Sequence, residues 1–505
     1  MSARVCVISL DAVEATLIDR WAAEGQLPVF GDLARDGLVV RLANCLETLP
    51  GSIWPELTTG RSGGRLARFY HSRKLHTGDT RFRPISTEEV DASQYYWSVA
   101  SAAGRRVAVI EQPQAALCRG LNGIQLLGWG SHDRPFPAQA EPESLLSEIQ
   151  SRFGVYPVAS CDARDKTVEG YRTLLDDLLG AVERRTAVIL DLMARESWDL
   201  FTCAFTEGHC VGHQFWSFFA SMDGRREVPP ALREAIQRVY ARIDSALARI
   251  IESAGAGATV LVVASHGMGP RIGGPQLLPE FLLRLGLGSG GGLAIHARSW
   301  LPPRFRRLVR RMAPAGALRG LQAAAGSLPT PLESPRTRAI AVPNNRCGAI
   351  RLNLRGREPR GCVERGGEAD ALLAEIRREM LALEHLSTGE RIVKRVVTAT
   401  EAFGPDHHPD LPDLIVVFRT DLGPLEACRS DRVGLIREPF WGSRTGDHTT
   451  ESRLWALGEA RTMEAGPPAN VLDLAPTVLR LLDVAVPADV DGRPLLVPSA
   501  PRLRV

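Results

Sequence analysis

The sequence predicts an α/β chain built on a mostly parallel sheet. Short apolar runs recur at residues 5–10 (VCVISL), 106–110 (RVAVI), 198–205 (WDLFTCAF) and 259–264 (TVLVVA). They lack the polar alternation of a half-exposed strand, so each reads as a strand buried on both faces. Helix-period stretches and glycine turns separate the runs, which is the grammar of strand-helix-strand units. Polar residues of metal-ligating type directly follow three of the runs, at the strand ends where open α/β sheets bind ligands.

In chain order, the first run ends at Asp11, and Leu17, Ile18 and Trp21 then recur at helical spacing. Leu27-Pro28 opens a second short helix. The run at 198–205 leads into Thr206-Glu207-Gly208-His209, with His213 four residues further on. Residues 230–253 give the clearest helix, with Leu232, Ile236, Val239, Tyr240, Ile243, Leu247, Ile250 and Ile251 on one face. Gly255 and Gly257 end it, and the run at 259–264 leads into Ser265-His266-Gly267.

From about residue 271 the pattern changes. Residues 288–292 are glycine-rich, 304–311 are basic, and an Ala/Gly/Pro-rich segment continues to about 335. Strands are expected within 339–355, an amphipathic helix over 368–386 and a buried strand at 414–418. This divides the chain into a first core part (1–270), a cap or accessory insertion (271–400) and a C-terminal core part (401–505). No repeat of solenoid period is present.

Composition sets outer limits. The chain has 505 residues, 44% hydrophobic and 24% charged, with 61 Lys+Arg against 58 Asp+Glu. The formal charge of +3 speaks against a nucleic-acid polymer as partner, since such binders carry a marked basic excess. The bacterial-like preference for arginine over lysine reflects base composition rather than function. Nine cysteines without a C-x-x-C pair read as reduced core residues. No signal-peptide-like segment and no apolar run of membrane-spanning length is read, so a cytoplasmic enzyme is expected. Oligomeric state is left open.

The chemistry-bearing positions are Asp11, Glu207, His209, His213, Ser265 and His266 at the strand ends, with Gly446-Asp447-His448 as a fourth place. One helical turn would put His209 and His213 on the same face. Singly, each has an ordinary reading: an Asp after a strand caps turns, and an isolated histidine pair sits on many helices. Together they are more telling, because the chain has only 11 histidines.

Six motifs carry a resemblance: ISLDA, LPGSIWPELTTGR, FTEGHCVGHQFW, VVASHGMGP, TGDHTTESRLWALG and VLDLAPTVLRLLDVAVPADVDGRPL. In this order they resemble the type I phosphodiesterase/nucleotide pyrophosphatase branch of the alkaline phosphatase superfamily. GAIRLNLRGREPRG and LPDLIVVF are similar to that group's accessory region. The resemblance implies a three-layer sandwich and a site for one or two divalent metal ions. Asp11 takes the first-strand Asp role, His213 and His448 match ligands of one ion, and His266 matches the histidine of the other. Two positions depart from the pattern: His209 and Ser265 stand where the family has Asp. A three-histidine site of His209, His213 and His448 suits Zn²⁺, with Mn²⁺ as alternative. The second site keeps Asp11 and His266, with Glu207, Ser265 or Asp447 as additional candidate ligands.

The family nucleophile lies at the start of the helix ending in Thr59-Gly60, but the usual spacing lands on Pro50. Ser52 and Thr48 are the candidates. Ser52 is preferred, because a helix starting there puts Pro55 in its first turn, where proline is tolerated. Trp54, His71 and Lys74 are candidate substrate contacts, the last two within a basic cluster with Arg68, Arg73 and His76. The expected function is metal-dependent hydrolysis of a small anionic phosphate ester through a Ser/Thr phospho-enzyme. Two alternatives stay open: phospho- or sulfo-group transfer (or a sulfatase) on the same site, and a degenerate, non-catalytic anion-binding relative.

Overall fold

The computed structural model describes residues 3–77, 82–130, 135–158, 167–220, 228–288, 332, 334, 336–344, 346–439, 444–465 and 468–498. The expectations for 289–292 and for the basic run 304–311 lie outside the described residues. Two compact units are present. One comprises Met1–Arg73, Pro84–Arg271 and Trp441–Val505; the other comprises Lys74–Arg83 and Ile272–Phe440.

The first unit is organised by an eight-stranded sheet. Its strands are β1 (Ala3–Leu10), β2 (Leu38–Leu42), β3 (Val107–Ile110), β4 (Gly123–Leu127), β5 (Gln139–Glu141), β6 (Trp198–Phe205), β7 (Thr259–Ala264) and β8 (Ser452–Leu457), in the spatial order β2-β8-β7-β1-β6-β3-β4-β5. The inner strands β7, β1, β6, β3 and β4 are mutually parallel. The outer strands β8, β2 and β5 run antiparallel to their neighbours. Along β1, side chains alternate between two cores. Cys6, Ile8 and Leu10 join one cluster, and Val5 and Val7 join the other. That is why the run lacks the polar alternation of a half-exposed strand, with Ser9 buried as well: both faces of the sheet are covered.

Four helices matter for the site: α1 (Ala15–Ala23), α2 (Ile53–Thr59), α3 (Val168–Met193) and α4 (Glu207–Ala220). The expected helix over 230–253 forms as a short turn, Pro230–Arg233, followed by Ala235–Ala254. None of the eight described cysteines forms a disulfide. Among the described residues, no helix is long and apolar enough to cross a membrane.

The second unit carries an antiparallel sheet in the order Ala339–Ala341, Gly348–Leu352, Leu414–Phe418, Val393–Thr398. Helix Gly367–Leu381 packs into the same core through Leu372 and Ile376. This corrects the expected return to the core at 401. The strand Leu414–Phe418 pairs with Gly348–Leu352, and the chain rejoins the first unit only after Phe440. An apolar run of five buried residues specifies a central strand but not which sheet receives it.

Glycine decides one close approach. At Gly212, in α4, a Cβ would lie 2.5 Å from Met268 Cγ, so only glycine lets the strand Gly267–Pro270 pack this tightly on the helix. Gly180, in α3, meets nothing within 4 Å. Gly212→Ala is expected to destabilise by about 1–3 kcal/mol. Gly180→Ala is expected to stabilise by about 0.5–1 kcal/mol, because alanine loses less backbone freedom in a helix. Urea denaturation of both variants checks this, and the same sign of change in both would contradict the packing described.

Candidate metal centre

Parallel register brings the three predicted strand ends together. Leu10 pairs with Phe205 on one side and with Ala264 on the other. Beyond these pairs, the Asp11 amide donates to the Phe205 carbonyl (2.9 Å) and the Ser265 amide to the Leu10 carbonyl (3.1 Å). Asp11, the first turn of α4 and His266 are therefore neighbours, although they are distant in sequence. Ala12, at φ 52°, turns the chain sharply after Asp11. His448 arrives on a two-stranded antiparallel ribbon in which Gly267–Pro270 pairs with Gly446–Thr449 and His448 lies opposite Met268.

The histidines form one continuous cluster. His209 Nε2 and His213 Nε2 are 3.1 Å apart. His209, His213 and His448 offer ligand atoms within 4.8 Å of one another. The His448 ring lies 4.5 Å from that of His266, edge to face, and His266 Nε2 lies 4.0 Å from Asp11 Oδ1.

The hydrogen bonds fix two tautomers. A backbone carbonyl only accepts, so the contact of His213 Nδ1 with the Gly446 carbonyl (2.8 Å) places a proton on Nδ1 and leaves the Nε2 lone pair toward the cluster. The Ser265 hydroxyl donates to the Leu10 carbonyl (3.1 Å), so at its 3.0 Å contact with His266 Nδ1 it accepts a proton from the ring. His266 Nε2 is then a bare nitrogen, buried and, among the described residues, without a hydrogen-bond partner. Burial pushes the His266 pKa down to about 3, so the ring is neutral near pH 7. Neutral imidazole is the metal-binding form.

These features fit a divalent ion. Two bonds of about 2.0–2.1 Å at a tetrahedral angle hold their nitrogens about 3.3 Å apart. The His209–His213 separation of 3.1 Å is close to this. Backbone carbonyls and hydroxyls that orient a ligating histidine through its other nitrogen are characteristic of such sites.

The chain matches the type I phosphodiesterase / nucleotide pyrophosphatase family over residues 5–279, more than half its length. It belongs to that family. No curated protein sequence matches it. In solved structures, the fold is similar to phosphonoacetate hydrolase from Sinorhizobium meliloti 1021 in complex with phosphonoformate, with TM-score 0.53, 14% identity, and coverage of 95% of this chain and 96% of that one. It is also similar to an inactive form of murine ectonucleotide pyrophosphatase/phosphodiesterase 5 in complex with AMP, with TM-score 0.50, 12% identity, and coverage of 98% and 100%.

As a member of the phosphodiesterase family, the chain brings Asp11, His209, His213, His266 and His448 together. The additional ligand candidates are used differently. Glu207 accepts from Arg185 Nε (2.9 Å) and from the Tyr156 hydroxyl (2.8 Å), and is turned away from the cluster into a buried ion pair. Ser265 orients His266. One oxygen of Asp447 accepts the amide of His448 (2.8 Å).

Ser52 sits at the N-cap position of α2, but its hydroxyl is fully buried, donates to the Arg68 carbonyl (2.9 Å) and makes no capping bond. Thr48, 9% exposed, donates to the Cys45 carbonyl (3.3 Å). Trp54 is a core residue whose indole N–H donates to Asp11 Oδ1 (3.1 Å), tying α2 to the site. His71 packs on Tyr70, with ring centroids 4.4 Å apart, and the Lys74 side chain lies outside the described residues.

Glu14 was not among the expected site residues. Its Oε2 accepts the Met268 amide (3.1 Å) and the Thr449 hydroxyl (2.7 Å), clamping both strands of the ribbon to the loop that carries Asp11. A Cβ on Gly267 would come 2.4 Å from that same oxygen. Arg185 was also missed. It is fully buried, lies between Glu207 and Glu111 (3.5 Å), and holds the first turn of α4. Arg185→Met would leave two buried carboxylates without their cation, and a loss of about 3–5 kcal/mol of stability is expected. Chemical denaturation measures it, and a loss below about 1 kcal/mol would contradict the structural role of the pair.

Proposed function

We propose that the protein is a metal-dependent phosphate-ester hydrolase, a phosphodiesterase or phosphatase, acting on a small anionic ester. The observation that carries this reading is the three-histidine group with the His213 tautomer set by Gly446. His209, His213 and His448 would hold Zn²⁺, or Mn²⁺ in its place, with Asp11 and His266 as a weaker second pair. A divalent ion there would act as a Lewis acid on the phosphoryl oxygens and make a nearby hydroxyl more acidic.

The protein's own groups supply placement and charge balance. All three histidines are neutral ligands, so the ion's charge is less offset than in a carboxylate-rich site and attracts an anion more strongly. Trp54 holds Asp11 against the start of α2, where the candidate nucleophiles lie. Of these we favour Thr48. The Ser52 hydroxyl would have to break a 2.9 Å bond to the Arg68 carbonyl, and a Cβ built on Gly63 falls 2.5 Å from its oxygen, so the pocket around it is closed, whereas Thr48 keeps 9% exposure and would give up a longer contact, 3.3 Å, with the Cys45 carbonyl. Attack by the Thr48 hydroxyl oxygen on phosphorus would break the bond from phosphorus to the ester oxygen, the departing alcohol taking up the proton that the hydroxyl loses, and water would then cleave the Thr48 O–P bond of the phospho-enzyme, giving back the hydroxyl and releasing the phosphoryl group as phosphate or monoester. The competing reading, a non-catalytic anion-binding relative, draws on the closed Ser52 and on Ser265 in place of a carboxylate.

Hydrolysis of aryl phosphate mono- and diesters with added Zn²⁺ or Mn²⁺ tests the proposal. Asp11→Ala and His213→Ala are expected to lower the rate by about 10³-fold or more, and unchanged rates in both would overturn the assignment. Thr48→Ala is expected to match them. Ser52→Ala is expected to retain activity while costing about 1 kcal/mol of stability. A reversal of the last two would return the nucleophile role to Ser52.

A further inference from the structure

The segment before His448 is strapped to His213 by more than one bond. The Thr445 amide donates to the His213 carbonyl (2.6 Å), and His213 Nδ1 donates to the Gly446 carbonyl (2.8 Å). The Ser217 amide donates to the Thr445 hydroxyl (3.2 Å), and the Arg271 amide to the Thr445 carbonyl (3.1 Å). A Cβ at Gly446 would lie 2.3 Å from the Gly212 carbonyl oxygen, so the strap can lie this close to α4 only with glycine there. The strap fixes the backbone beside Arg444, and Arg444 Nη1 lies 3.1 Å from His213 Nε2.

That contact has a chemical consequence. A guanidinium has donors only, so Arg444 occupies the Nε2 lone pair of His213. The same lone pair faces His209 Nε2 and is the one a divalent ion would use. One lone pair cannot serve both, and two cations repel at this distance. Arg444 must therefore release His213 when an ion enters. A phosphoryl anion gives the freed guanidinium a new partner, because its paired donors match phosphate oxygens.

We propose that Arg444 is a gate coupling cation and anion binding: it covers His213 Nε2 in the ion-free protein and binds a phosphoryl oxygen in the loaded one. The inference rests on the metal-dependent reading above. By linkage, phosphate then strengthens metal binding and metal strengthens phosphate binding by the same factor.

The test is Zn²⁺ affinity, measured by competition with a chromophoric chelator at constant ionic strength, with and without inorganic phosphate. The full chain is compared with Arg444→Ala, Arg444→Gln and His213→Ala, and circular dichroism checks that each is folded. In the unsubstituted protein, phosphate is expected to tighten Zn²⁺ binding by about tenfold. Both Arg444 variants are expected to bind Zn²⁺ about tenfold more tightly without phosphate and to lose most of the phosphate-dependent gain. Zn²⁺ binding that His213→Ala abolishes but that is indifferent to Arg444, with or without phosphate, overturns the gate and leaves the metal centre standing. Absence of stoichiometric Zn²⁺ binding in the unsubstituted protein overturns both.

Discussion

The hydrogen bond from His213 Nδ1 to the Gly446 carbonyl holds the site together. Its first effect is electronic: it commits the imidazole to one tautomer and leaves the Nε2 lone pair able to act as a ligand. Its second is architectural. It fastens the strand Gly446–Thr449 to α4, so that His448 reaches the histidine pair of that helix. Gly212 and Gly446 permit the approach, since a Cβ at either would collide with the opposite element. Glu14 completes the arrangement by clamping both strands of the ribbon to the loop after β1. The geometry of the histidines and the placement of the ribbon are thus parts of one packing solution.

The site is economical in charge. Asp11 lies beside His266, Asp447 is held by the amide of His448, and the nearby acid Glu207 is spent on Arg185. Under the proposed reading, His209 in place of a carboxylate would leave a bound ion more positive, and Arg444 adds a further cation beside His213. Such a site gains most when an anion completes it. This gives a physical reason for a phosphate ester as substrate that does not depend on the family alone.

Much of this was legible in the sequence. Runs such as VCVISL and TVLVVA declared buried parallel strands, and the residue types just after them marked Asp11, His209, His213 and His266. What could not be read follows from the same physics. Glu207 has the residue type and position of a ligand, and only the three-dimensional approach of Arg185 and Tyr156 claims it. In sequence, Arg185 is one more arginine on a long helix, with nothing to show that it is buried. Glu14 resembles an ordinary helix-capping acid, and it does accept the Thr16 amide (3.4 Å) as well as holding the ribbon. Pro55 correctly located the start of α2, but a helix start does not say where a hydroxyl points, and that of Ser52 points to Arg68. The run LIVVF was recognised as a strand, but its sheet is decided by pairing partners far away in the chain.

The central claim is that His209, His213 and His448 are the ligands of one ion. Anomalous X-ray diffraction at the zinc edge from crystals grown with Zn²⁺ tests it most directly. A single strong peak is expected about 2.0–2.1 Å from the Nε2 atoms of His209 and His213 and from a ring nitrogen of His448. A peak elsewhere, or no peak at full Zn²⁺ occupancy of the solution, would contradict it.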